Sequence, residues 1–172
     1  MNSPIGPDLR SDGIGDTTAQ FFFAPSNPGK LIWGVGPSFI LPTASDPTLG
    51  VQEWGAGVNA VALISENPIV AGVLFNQVYS FGGSTKPMLI QPFFNYNLPE
   101  GWFVSLSGEA NADWEKTIQN RWSVLGGPGF GRVFPFLGQP MNVSTRFAPY
   151  LEKPTGGADW QFRFQAVLLF PR

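Results

Sequence analysis

The segment from Trp160 to Phe170 reads W-Q-F-R-F-Q-A-V-L-L-F, and its alternation constrains the chain more than any other feature. Trp160, Phe162, Phe164, Ala166, Leu168 and Phe170 share one parity, while Gln161, Arg163 and Gln165 share the other. Successive side chains of a strand point to opposite faces, so this segment forms a strand with one oily and one wet face. About 9–11 residues suffice for a tilted strand to cross a bilayer. An aromatic residue on the oily face near the C-terminus suits the last strand of a membrane barrel.

The same period of two recurs upstream in about nine runs, separated by Gly, Pro, Asn and Asp clusters. The runs are Thr17 to Pro25, Leu31 to Leu41, Trp54 to Ser65, Ile69 to Ser80, Met88 to Leu98, Trp102 to Trp114, Arg121 to Gly131, Met141 to Leu151 and the C-terminal segment. In the second run Leu31, Trp33, Val35, Pro37, Phe39 and Leu41 oppose Gly34, Gly36 and Ser38, with Ile32 and Ile40 as exceptions. In the sixth, Trp102, Val104, Leu106, Ala110, Ala112 and Trp114 oppose Ser105, Ser107, Glu109, Asn111 and Asp113. The fourth has no clear facing, because Gln77 lies with Phe75 and Tyr79 while Asn76 lies with Leu74 and Val78. With 21 Gly and 17 Pro, long helices are poor competitors.

Only 13% of residues are charged, against about 25% in an ordinary soluble domain. No apolar run approaches the roughly 18 residues of a membrane helix, so any membrane crossing must be made by strands closed into a barrel. The net charge is −2 with no basic stripe, which argues against nucleic acid as a partner. The chain has neither Cys nor His, so disulfides, thiolate metal sites and Ser-His or Cys-His catalysis are excluded. No metal site, cofactor or enzymatic activity is expected.

Alternating strands also build soluble sandwiches and lipocalin-like barrels, apolar inside and polar outside. Three features favour the inverted arrangement. The polar face is mostly Gly, Ser, Asn and Gln. Trp33, Trp54, Trp102, Trp114, Trp122 and Trp160, together with Phe170, stand near run ends, as interfacial girdles do. Short and longer connections alternate, as periplasmic turns and extracellular loops do. The charges agree: an Arg at mid-bilayer on the lipid face costs about 2–4 kcal/mol, and Arg146, Arg163 and Glu109 all fall on the polar parity. Together with Gln161, Gln165, Gln91 and Asn95 they are the candidate lumen-lining residues, and the three charges are candidates for one ionic network.

If the C-terminus lies in the periplasm, the turns P-S-N-P-G-K, S-E-N-P, N-L-P-E-G and F-L-G-Q-P are periplasmic. The connections near Asp46, Lys86, Lys116 and Thr155 are then extracellular. The first run would enter from outside, and single-chain bacterial barrels have even strand numbers. The expectation is therefore an antiparallel up-and-down transmembrane β-barrel portion over 16–172, lacking its signal peptide and one or more N-terminal strands. Residues 1–15 would be the remnant of an extracellular loop.

Several segments carry a family resemblance: G-I-G-D-T-T-A-Q-F-F-F-A-P-S-N-P-G-K-L-I-W-G-V-G-P-S-F-I-L-P-T-A, W-G-A-G-V-N-A-V-A-L, Q-P-F-F-N-Y-N-L-P-E-G-W, L-G-Q-P-M-N-V-S and D-W-Q-F-R-F-Q-A-V-L-L-F-P-R. From about Gly13 onward the chain resembles a bacterial outer-membrane family filed as "transporter" or "neuromedin U" and grouped with outer-membrane proteins of the phenol meta-cleavage pathway. The resemblance implies a porin-like barrel of the Gram-negative outer membrane, passing small hydrophobic or aromatic compounds. It rests on turn and girdle motifs, none of them catalytic.

Other motifs have plainer readings. G-G-P-G-F-G-R (126–132) lacks the G-K-[ST] ending of a phosphate loop and reads as a Gly-rich strand that relieves crowding or bends. Glu109 and Asp113 are about 13 Å apart on a strand, too far for a glycosidase carboxylate pair. Asn142-Val143-Ser144 matches a glycosylation sequon by coincidence. The leading expectation is a channel or transporter for small molecules, with the lipid bilayer as its surroundings. The alternatives are a structural or interaction barrel with a filled lumen, a membrane-embedded enzyme, and a soluble ligand-binding barrel.

Overall fold

The computed structural model of the chain describes residues 13–27, 29–47 and 49–168. These form nine strands: β1 (Thr17–Gln20), β2 (Leu31–Leu41), β3 (Gly55–Glu66), β4 (Ile69–Ser80), β5 (Pro87–Asn97), β6 (Trp102–Asp113), β7 (Trp122–Phe136), β8 (Gln139–Glu152) and β9 (Trp160–Leu168). Each strand pairs antiparallel with its sequence neighbour, in the order β1 to β9, and the sheet curls into a half-barrel. No α-helix occurs among the described residues; two single 3-10 turns, Pro99–Gly101 and Ile118–Asn120, lie in connections.

Residues paired across an antiparallel ladder share a face, so the register assigns every side chain. One row runs Leu31, Ile64, Ala71, Phe94, Leu106, Pro128, and another Val35, Ala60, Phe75, Ile90, Ala110, Val124. The opposite face carries Asn95, Ser105, Gly129, Arg146 and Arg163 in a single row. The apolar face is the exposed one: Trp33, Val35, Val58, Leu106, Phe130, Phe162 and Phe164 are all open. The other face is sheltered, with Ser38, Asn59, Ser80 and Arg146 buried. Side chains of β6 and β9, whose backbones would be about 14 Å apart in a flat sheet, meet on this face, so it is the concave one.

One expectation about faces needs correction, and the facing left open for the fourth strand is given by its partners. Ile32, Ile40, Val61, Leu63, Leu74 and Val78 all lie on the concave face by register, so its β2–β4 side mixes aliphatic side chains with Gly, Ser38, Asn59, Asn76 and Ser80, and the charged side chains of that face are on its β5–β9 side. The facing of β4 is set by its partners: Phe75, Gln77 and Tyr79 point outward and Asn76 inward. Gln77 breaks the pattern because its amide is spent locally. Nε2 donates to the carbonyls of Val78 (3.1 Å) and Pro87 (3.2 Å), and Oε1 accepts from Trp114 Nε1 (3.1 Å).

Strand lengths also differ from the expected runs. β1 stops at Gln20, and beyond it the same register continues only through the Phe21 amide on the Pro37 carbonyl (3.0 Å) and a bridge between Phe23 and Val35, since Pro37, opposite Phe21, has no amide to donate. β7 continues past Gly131 to Phe136. Its last residues pair with β8 through a two-residue turn, Leu137–Gly138, with both φ positive (50° and 81°). Such turns match the twist of the flanking strands. Two other connections at this end are short too, 67–68 and 98–101, while that between β1 and β2 spans 21–30. The connections at the other end are longer: 42–54, 81–86, 114–121 and 153–159.

Candidate functional site

Arg146 of β8 is the most buried charge on the concave face, 8% exposed. It reaches over β7 toward β6: Nη1 donates to Ser107 Oγ (2.9 Å) and Nη2 to Glu109 Oε2 (3.3 Å). Nη2 also donates to Gln161 Oε1 of β9 (3.1 Å). Arg163 of β9 places Nη2 3.5 Å from the same Glu109 oxygen, and Asn111 Nδ2 donates to Glu109 Oε1 (3.3 Å). Three charges from three strands thus meet as two cations on one carboxylate. The polar neighbours matter, because a buried ion pair recovers its desolvation cost only when its remaining groups are hydrogen-bonded.

The reach across β7 depends on glycine. Gly127, Gly129 and Gly131 face inward, opposite Ser107, Ser105 and Phe103 of β6. A Cβ at Gly127 would lie 2.0 Å from the Phe147 carbonyl oxygen; one at Gly129 would lie 2.4 Å from Ser105 Oγ. The strand is locally a bare floor, over which the guanidinium of Arg146 passes. Upstream the β7–β8 register shifts at Val124/Leu125, which adds to the local bend.

Beside this cluster is a cavity of about 230 Å³, bounded by Gln91, Asn95 and Gln165 and also by Phe93, Phe103 and Asn142. The seven sequence candidates therefore share one face: Gln91, Asn95, Arg146, Arg163 and Gln165 border the cavity, while Glu109 and Gln161 hold Arg146. Sequence reasoning missed Phe93, Phe103 and Asn142 as cavity residues. The parity of Gln91 and Asn95 already carried Phe93, and that of Ser105 carried Phe103. Glu109 and Asp113 are not brought together. Asp113 instead accepts from Thr85 Oγ1 (2.8 Å) and from the amides of Lys86 (2.9 Å) and Glu115 (3.1 Å).

Trp33, Trp102, Trp122 and Trp160 share the convex face by strand parity, and Trp54 and Trp114 adjoin the ends of β3 and β6. Trp33 and Trp102 stand at the short-turn end; Trp54, Trp114, Trp122 and Trp160 stand at the long-loop end. Trp102, Trp114, Trp122 and Trp160 make ring contacts. Trp114 meets Trp122 edge-on, with ring centroids 5.8 Å apart, and Arg121 lies 5.5 Å over its ring. Trp102 stacks on Phe130 at 4.8 Å, with Arg132 4.9 Å above it. Phe170 lies outside the described residues, as does most of the segment 1–15. Its end, Gly13 to Asp16, is pinned to the long-loop end, where Asp16 accepts from the amides of Ala44, Val51 and Gln52.

The long loops are tied by charge. The Ser84 and Ser80 hydroxyls beside Glu53 hold its carboxyl below the ordinary value of 4.5, and the amides of Ser84 and Gly82 add to this. Hydrogen bonding to Glu115 raises the Lys86 ammonium above its usual value. Among the described residues no group of three His, Cys, Asp or Glu is placed to hold a metal, and no helix is long and apolar enough to cross a membrane.

The chain matches no protein-family model, no curated protein and no solved structure.

Proposed function

We propose that this chain forms an outer-membrane β-barrel wall, oily outside and wet within, serving as a channel or transporter for small molecules. The observation that carries the proposal is the inversion of the sheet: its apolar face is open while Arg146 and Glu109, with Ser38, Asn59 and Ser80, are sheltered on the concave side. Exposed apolar patches beyond a few hundred Å² are rare on soluble monomers; lipid tails are the cover that suits a surface running along β2 to β9. The two Trp groups suit two interfaces. From Trp102 to Trp114 along β6 is about 40 Å, or about 30 Å across a bilayer at a strand tilt near 40°, comparable to the hydrocarbon thickness of about 30 Å. In hydrocarbon, unpaired edges are costly. The reading therefore requires further strand pairing alongside β1 and β9, which do not pair with each other among the described residues.

Single-channel recording of the protein in planar bilayers tests the proposal. Stepwise conductance is expected. A protein that inserts but stays electrically silent is a filled structural barrel, the reading that the bridging Arg146–Glu109 cluster would favour. A protein that remains monomeric without detergent or lipid would sink both readings.

A further inference from the structure

We infer that the cavity beside Arg146 and Arg163 is a binding site for a small carboxylate with an apolar body. The inference deepens the channel reading, since it takes the same concave face as the path of the solute. Three observations meet there. The first is charge: two guanidinium groups share one carboxylate, leaving an excess of one positive charge at the cavity wall. Asp113, the other acid on the inward side of β6, is committed to Thr85, Lys86 and Glu115.

The second is unspent hydrogen-bonding capacity. Arg146 is 8% exposed, yet its Nε–H, a donor, has no partner. Arg163 makes one contact, at the 3.5 Å limit, and its side chain is 43% exposed, so its remaining donors face the open space. A planar, two-oxygen anion matches the fork of a guanidinium better than a point charge does. The third is shape: Phe93 and Phe103 line the same cavity, and about 230 Å³ accommodates a compact organic acid. Small-molecule sites characteristically combine an apolar wall with a few convergent polar groups. Glu109 then acts as an internal competitor, occupying the guanidinium groups until a ligand carboxylate displaces part of its contact.

Equilibrium dialysis of the full chain in detergent tests the site, with cyclohexanecarboxylate as probe and acetate and cyclohexylmethanol as controls. The acid with the ring should be retained most strongly. Arg163→Gln should weaken retention roughly tenfold, as loss of a charge-assisted hydrogen bond does. Glu109→Gln should strengthen it, because the competitor is gone. The opposite signs exclude simple misfolding, which would weaken both. Equal retention of the acid and its alcohol, or no response to either substitution, would overturn the site. Binding without conductance would keep the site and sink the channel; conductance without binding would do the reverse.

Discussion

At the scale of single residues, the protein places polar groups where a partner already exists. Gln77 sits on the oily face and makes three hydrogen bonds, so its amide is never offered to the surroundings. Arg132 also sits on that face, but near the end of β7, where it stacks over Trp102 and donates from Nε to the Glu100 carbonyl (3.2 Å). In the membrane setting proposed above, an Arg near the interface would cost only about 0–1 kcal/mol, against about 2–4 at mid-bilayer. Glu53 gives a pH prediction. Its folded pKa is depressed, so its contribution is present above the unfolded value and lost as pH falls through the folded one. The Ser84 amide, which donates to Glu53 Oε2 at 3.3 Å, should be protected at pH 6 and lose protection only as the pH falls below the ordinary glutamate range. Hydrogen exchange corrected for intrinsic rates measures this; Glu53→Gln should abolish the dependence, and a pH-independent wild type would refute it.

At the scale of strands, β7 decides whether the concave face can work as one surface. Its glycines keep the floor low between the carboxylate of β6 and the guanidinium groups of β8 and β9. Gly127→Ala should be destabilising by roughly 1–3 kcal/mol, since the new methyl would overlap a backbone carbonyl that cannot rotate away. Gly138→Ala at the turn is a useful comparison. A Cβ there has open space around it but a φ of 81°, so any cost is backbone strain alone. Urea unfolding from lipid vesicles measures both. An unchanged Gly127→Ala midpoint would mean that β7 can move away from β8. The Gly-rich stretch was legible as a strand rather than a phosphate loop. Which neighbour needed the missing side chains was not, because that depends on the pairing register.

At the scale of the whole molecule, the inside-out distribution makes a depth prediction. Trp fluorescence in vesicles should be quenched strongly by lipids brominated near the glycerol and weakly by lipids brominated at the chain ends, because the six Trp stand toward the two ends of the strands. Strong quenching from the chain ends, or none from either, would contradict the girdle. The largest revision from sequence to structure also lies at this scale. The concave face carries its charges along β5 to β9 but aliphatic side chains among small polar ones along β2 to β4, so the two halves of the sheet offer different walls. Ile32 and Ile40 had marked this as exceptions to an otherwise clean alternation.

The sequence alone determined that the chain is all-β, roughly where its strands and turns fall, and which side chains share a face, because a strand's period of two is written in the residues themselves. It also placed the six Trp near the ends of the runs. Only the tertiary structure decided that the polar parity is the concave one, that β4 turns Gln77 outward, and that Glu109, Arg146 and Arg163 meet although 37 and 54 residues separate the partners. Those contacts depend on curvature and on register across intervening strands, and neither is encoded in any single segment.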